Sequence, residues 1–276
     1  MFMSTEDVEN HEGFSLFPTG KAKATTFPGF CDKHDKIFEP IDAHQYEAGN
    51  LEQEFLFAMR AAAREYTVRI AMQDNLEEIV REHESAENEG EGIGLSNEGL
   101  EDIKLYKIGF TAGTKELERL RINIGLNFRK KKYRMIRTET LVIKGEFPLV
   151  ASSCFKLEIG SSGKTINSIS RFSDKGKPTF FTLFPQSGKT YCLISWQRMN
   201  NKSYKDLVGL NLKTQKEKKV IVSNLLTSYV ENFAANPDYW ESLPKKVQKT
   251  FREYWAESSF LEVVPFIFDP EFSLFI

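Results

Sequence analysis

The chain has 276 residues, of which 41% are apolar and 23 are phenylalanine, so it carries ample material for a core and wholesale disorder is excluded. Its formal charge of −2 argues against a protein that coats nucleic acid indiscriminately, and its three cysteines, Cys31, Cys154 and Cys192, are too widely spaced for a disulfide framework. The acidic opening MFMSTEDVENHEG lacks the apolar stretch of a signal peptide, and no apolar run approaches the ~20 residues of a membrane span, so a cytoplasmic protein with no membrane segment is expected.

Residues 1–28 have few periodic apolar positions and read as an irregular arm. Residues 29–134 read as a helical region. It opens with GFCDKHDKIFEPID (29–42), which packs a thiol, an imidazole and four carboxylates into one short stretch. From Asn50 the spacing of Phe55, Met59, Ala62, Tyr66 and Ile70 predicts a helix to about Glu84, with Asn50 as N-cap and Gln53 placed to complete a capping box. The segment 85–102 is glutamate- and glycine-rich and predicts a flexible acidic loop. A second helix is expected from about Thr114, with Leu117, Leu120, Ile124 and Phe128 on one stripe and Gly125 weakening it by ~1 kcal/mol relative to Ala.

From about Met135 the period changes to two, and residues 135–200 predict an antiparallel sheet. TETLVIKG and FPLVASSCFKLE read as strands around a turn at Gly145-Glu146, and 179–197 as two more joined at Pro185-Gln186-Ser187-Gly188. Residues 201–276 return to a helical pattern, marked by Val220, Leu225, Tyr229 and Phe233, with Asn236-Pro237 capping a further helix. The tail FLEVVPFIFDPEFSLFI is too apolar to stay exposed and should dock on the body. Helices, then strands, then helices define an α+β protein, not alternating βαβ units.

Several motifs fail on context. EIGSSGKT (158–165) and LFPQSGKT (183–190) imitate a phosphate-binding loop, but Glu158 and Leu183 stand where glycine is required, and neither run leads into a clear helix. Polar SGKT between strands is more simply a hairpin turn. His34-Asp35 imitates a two-metal phosphohydrolase motif, yet the other histidines, His11, His44 and His83, do not supply its remaining ligands. No Gly-flanked nucleophile supports a hydrolase triad.

Two constellations remain. Cys31-x2-His34 has half the spacing of a zinc site. On the following helix Glu54 and Glu65 lie eleven positions apart and almost in line, with Ala58 and Ala61 between them so that another segment can approach closely. Cys31, His34, Asp35 and Glu54 are therefore candidate metal ligands, and His34, Asp35 and Glu65 candidate catalytic groups, for a divalent ion (Mg or Mn in preference to zinc) that hydrolyses a phosphodiester. The structural alternative pairs these glutamates with Arg60, Arg64 and Arg69 at helical spacing, and makes Cys31 a packed thiol.

The strings TFPGFCDKHDKIFEPID and EQEFLFAMRAAAREY, with the later FPLVASSCF and FPQSGKTYCLISW, resemble uncharacterised bacterial proteins that share a Phe-Cys-x2-His-Asp opening and an Arg-Ala-x3-Glu helix. The likeness spans most of the chain. It carries no established activity, and an association with anti-phage defence loci fits a nuclease or a toxin-like effector without discriminating between them.

The second constellation is basic. Between 119 and 137 lie Arg119, Arg121, Arg129, Lys130, Lys131, Lys132, Arg134 and Arg137, interleaved with Phe128 and Tyr133; the cations can neutralise phosphates and the aromatics stack on unpaired bases, with Arg129 to Arg134 as the candidate contacts. The alternative is a solvated helix end whose cations suit the helix dipole, although four consecutive cations exceed what capping requires. The expected function is a metal-dependent phosphodiesterase acting on single-stranded nucleic acid, as a bacterial defence effector. Its rival is a non-catalytic adaptor or sensor, with Cys31 and His34 structural, that binds a partner protein or a second copy of itself.

Overall fold

The structure, a computed structural model, describes residues 30, 32–89, 97–168, 176–258 and 263–276; the proposed arm 1–28 and Cys31 lie outside them. In chain order the elements are α1 (Asp32–Asp35), α2 (Glu39–Asp42), α3 (Leu51–Glu89), α4 (Asn97–Arg129), β1 (Ile136–Lys144), β2 (Leu149–Phe155), β3 (Thr179–Gln186), β4 (Lys189–Gln197), α5 (Gln215–Tyr229), β5 (Phe233–Ala235), α6 (Pro237–Ser242) and α7 (Lys245–Ser258), with short 3-10 turns between some of them. The α+β class is as expected. No helix among the described residues is long and apolar enough to cross a membrane.

Asn50 starts α3 as predicted, its side-chain oxygen accepting from the Glu52 and Gln53 amides, both at 3.2 Å. Gln53 does not close a capping box. Its amide instead donates to the Pro40 and Gln45 carbonyls, both at 2.9 Å, and its oxygen accepts from the Glu47 amide at 2.8 Å, which ties the chain after α2 to the helix start.

The first third of α3 lies on the sheet. Phe55, Ala58, Ala61 and Ala62 are buried against Cys154 of β2, Phe180 of β3 and Leu120 and Ile124 of α4. The small residues do permit a close approach, but what approaches is the sheet. Beyond them α3 and α4 form a long hairpin, sealed by Val80, His83, Phe110 and Thr114 and by Arg69 and Arg121 lying over the Phe110 and Tyr66 rings at 4.9 and 4.8 Å.

This hairpin corrects the expected loop at 85–102. α3 continues to Glu89 and α4 already begins at Asn97, seventeen residues before Thr114. Glutamate is a good helix former, so the acidic composition of 85–89 and 97–102 does not forbid helix; residues 90–96 lie outside the described ones. An ion pair between Glu77 and Lys107 at 3.7 Å ties the two helices together near that end.

The sheet runs β1-β4-β3-β2-β5, with antiparallel pairing throughout. β1 and β2 are therefore not hairpin partners across Gly145-Glu146, since β4 and β3 lie between them. That connection crosses three strand spacings, roughly 14 Å, a gap that a few extended residues span. β3 and β4 do form the predicted hairpin, with Ser187 and Gly188 at φ +52° and +75° in its turn. The other SGKT loop is closed by an internal anion: the Asp206 carboxylate accepts from the Ser162 amide at 2.9 Å and its hydroxyl at 3.0 Å.

Period two sorts the strands' side chains. Phe180 faces the hairpin, while Phe181, Leu183, Cys192, Ile194 and Trp196 face a second core built with α5, α7 and the tail. The tail docks as expected: Asn224 binds the Asp269 carbonyl and the Phe268 and Asp269 amides, and Leu274 and Phe275 are buried. The result is a helical hairpin on one face of the sheet and helices plus tail on the other.

Candidate nucleic-acid interface

The corner between α4 and β1 is built by a helix stop. The Lys131 amide bonds the Phe128 carbonyl at 2.8 Å and the Lys132 amide bonds the Asn127 carbonyl at 2.9 Å, with Lys131 at φ +50°. This is the hydrogen-bond pattern of a Schellman stop, where glycine is the usual left-handed residue. A lysine there is strained by about 1 kcal/mol or more. A 3-10 turn at Tyr133–Met135 then leads into β1.

Around this corner lies a cleft of about 510 Å³ lined by Leu51, Asn127, Lys131, Lys132, Arg134 and Met135, together with Tyr133. Tyr133 is half-buried. Its ring lies 5.5 Å from Phe55 and 6.4 Å from Phe128, and its hydroxyl donates to Glu52 at 2.6 Å. Burial, and then the bond to Glu52, push its phenol up to about 12.

Arg129, Lys130, Lys131, Lys132 and Arg134 are all exposed, and among the described residues none of them has an ion-pair partner. Sequence reasoning missed a sixth cation. Arg198, at the end of β4, donates to the Arg134 carbonyl at 2.8 Å across 64 positions of sequence. No local pattern signals that approach, because it is made by the β1–β4 pairing.

The carboxylates of α3 are arranged otherwise. Glu54 is 7% exposed, and its carboxylate accepts from the Gly49 amide at 3.0 Å and the Tyr46 hydroxyl at 3.2 Å. Tyr46 also shares a 2.9 Å bond with Thr140 of β1. Burial raises the Glu54 carboxyl above its ordinary range, against the pull of those donors. Glu65 is buried beside Cys154, pairs with Arg69 at 3.2 Å, and is raised first by burial and then by Glu231.

Glu54 and Glu65 do not come together. Eleven residues at a rise of 1.5 Å put Glu54 and Glu65 about 16 Å apart, so alignment on one stripe does not bring them to one ion. His34 and Asp35 are exposed on α1. Their segment is held instead by Phe38, buried beneath Arg60, and by a two-pronged Arg60–Asp42 pair at 2.7 and 2.5 Å. Among the described residues no three of His, Cys, Asp and Glu are grouped to hold a metal. Burial pushes the Cys154 and Cys192 thiols up, as for packed, unreactive cysteines.

Fold and site together define an α+β protein with a helical hairpin on an antiparallel sheet and an unneutralised basic corner. No family model matches the chain, and no curated protein or solved structure is significantly similar to it.

Proposed function

We propose that this protein binds single-stranded nucleic acid at the α4–β1 corner. The observation that carries the reading is that Lys131, Lys132 and Arg134, exposed and with no ion-pair partner among the described residues, line a cleft with apolar and aromatic walls, with Arg129 and Lys130 just before it in the chain. Lys131, Lys132 and Arg134 suit a phosphate backbone, and Leu51, Tyr133 and Met135 give a base an apolar surface to rest on. The cleft is a local concavity, which favours a flexible strand over a rigid duplex. Strand cleavage is a separate step, and Glu52, a carboxylate at this corner, is already engaged by Tyr133.

The test is fluorescence anisotropy with a labelled single strand and with duplex DNA over a salt series. Binding of the single strand should weaken with salt, and replacing Lys130, Lys131 and Lys132 by Gln should flatten the slope of log K against log salt by roughly 0.7 per lost contact. Absence of binding at low salt, or an unchanged slope in the triple variant, would remove the reading. Product analysis of the same mixtures with Mn²⁺ and with EDTA shows whether the bound strand is also cut.

A further inference from the structure

Helix α4 has two apolar stripes, and the hairpin uses only one. The inner stripe, through Phe110, Thr114, Leu120 and Ile124, is buried against α3 and the sheet side. On the opposite side Leu105, Ile108, Ala112, Lys115, Arg119, Ile122 and Leu126 follow one another at the three- and four-residue steps of a heptad seam, and all seven are exposed. Leu105 and Ile108 are 66% and 69% exposed, Ile122 and Leu126 49% and 47%. Two pairs of large aliphatic side chains, one at each end of a three-heptad stripe, are not the scattered exposures of an ordinary surface.

The order of residues along this stripe says what covers it. It reads Leu, Ile, a central polar stretch, Ile, Leu, and so is nearly the same from either end. A twofold axis crossing α4 near Lys115 sets Leu105 opposite Leu126 and Ile108 opposite Ile122 of an antiparallel second copy. The same operation sets Glu101 and Asp102, exposed at the start of α4, opposite Arg129 and Lys130, exposed at its end. A parallel arrangement would stack acid on acid and base on base. Self-complementarity under a twofold is the requirement for an isologous dimer, and the two ends of this stripe meet it in apolar pattern and charge, while Lys115 at the axis faces its own copy.

We infer that the outer face of α4 is the interface of a homodimer, formed by antiparallel packing of α4 on α4 of a second copy. The interface rests on residues other than those lining the cleft. Lys131, Lys132, Tyr133 and Arg134 follow the end of the helix and stay open, so the dimer carries two clefts about 40 Å apart, from the helical rise between Lys115 and each end. A strand long enough to reach both would be held bivalently.

Sedimentation velocity on the full chain across micromolar to near-millimolar concentrations reads the interface directly. The expected species has twice the 31.7 kDa chain mass, and Leu105→Glu with Ile122→Glu should leave a folded monomer with the parent's circular dichroism, because both positions are exposed within one chain. A wild-type chain that stays monomeric, as when another segment of the same chain covers the stripe, overturns the inference, and so does a double variant that remains dimeric. Register is read in a Cys31→Ser background. Chains carrying Leu105→Cys mixed with chains carrying Leu126→Cys should cross-link on oxidation, while each alone should not; cross-linking of each alone would show a parallel pair and refute the twofold. None of these readouts involves nucleic acid, so the dimer and the strand-binding reading fail or stand separately.

Discussion

Glu54 and Glu65 lie 7% and 9% exposed beneath the hairpin, whereas Arg129, Lys130, Lys131, Lys132 and Arg134 stand in solvent at the far end of α4. Both regions looked like sites in the sequence, since both concentrate charge beside aromatic residues. The fold surrounds the carboxylates with its own donors: the Gly49 amide and Tyr46 hydroxyl for Glu54, and Arg69 for Glu65. It gives the cations nothing to pair with among the described residues. Buried charge is tolerated only when paired or hydrogen-bonded, so a buried carboxylate with internal partners is first of all a part of the fold. An exposed cation cluster carries no such obligation, and its charge remains for a ligand. Glu52 and Glu54 show the same division within two residues: Glu54 turns inward to Tyr46, and Glu52 reaches Tyr133 at the rim of the cleft.

The largest effect that sharpens this contrast is on stability. Glu54→Ala removes the buried acceptor shared by the Gly49 amide and the Tyr46 hydroxyl, which keeps its bond to Thr140, and should cost roughly 1–3 kcal/mol in urea unfolding. Glu54→Gln keeps an acceptor for both donors and should cost much less. Equal losses in the two variants would mean that the carboxylate's charge, not its acceptor oxygens, matters there.

Next in size is Lys131→Gly. It relieves a left-handed lysine and should raise stability by up to about 1 kcal/mol, after allowing for the greater freedom of glycine in the unfolded chain. The same change removes a cation from the cleft and should weaken strand binding. Stability and binding would move in opposite directions, the signature of a strained residue retained for its side chain. A variant that loses both would place Lys131 with the structural residues instead.

The smallest effect concerns Glu65. Its carboxyl is raised in the folded protein by burial and by Glu231, so the native state holds that proton more tightly than the unfolded chain does. The associated stability is fully present below the ordinary value of 4.5 and is lost as pH rises from there through the raised folded value. Melting temperatures measured across that range should therefore fall with pH more steeply for the wild type than for Glu65→Gln. Parallel profiles would show that Glu65 ionises as freely in the fold as outside it.

The sequence by itself determined what depends on neighbours in the chain. Three- and four-residue steps marked the apolar face of α3, from Phe55 to Ala62, and period two marked the strands. Ser187-Gly188 between two apolar runs was enough to identify the β3–β4 turn. The apolar tail had to dock, because water would not tolerate it.

Tertiary structure alone decided what depends on partners distant in sequence. β1 pairs with β4 and not with β2, and that pairing is what carries Arg198 to Arg134. The two ends of the acidic segment, 85–89 and 97–102, continue helices α3 and α4, which pack on each other elsewhere along their length, a pairing that composition read one stretch at a time does not contain. Glu54 and Glu65 share an angle around α3 but not a height along it, and what each meets was set by which loop, strand or arginine the fold brought there. Angular periodicity is a local property of the backbone, whereas pairing a charge requires closing a loop of chain around it, and only the folded molecule shows which loops close.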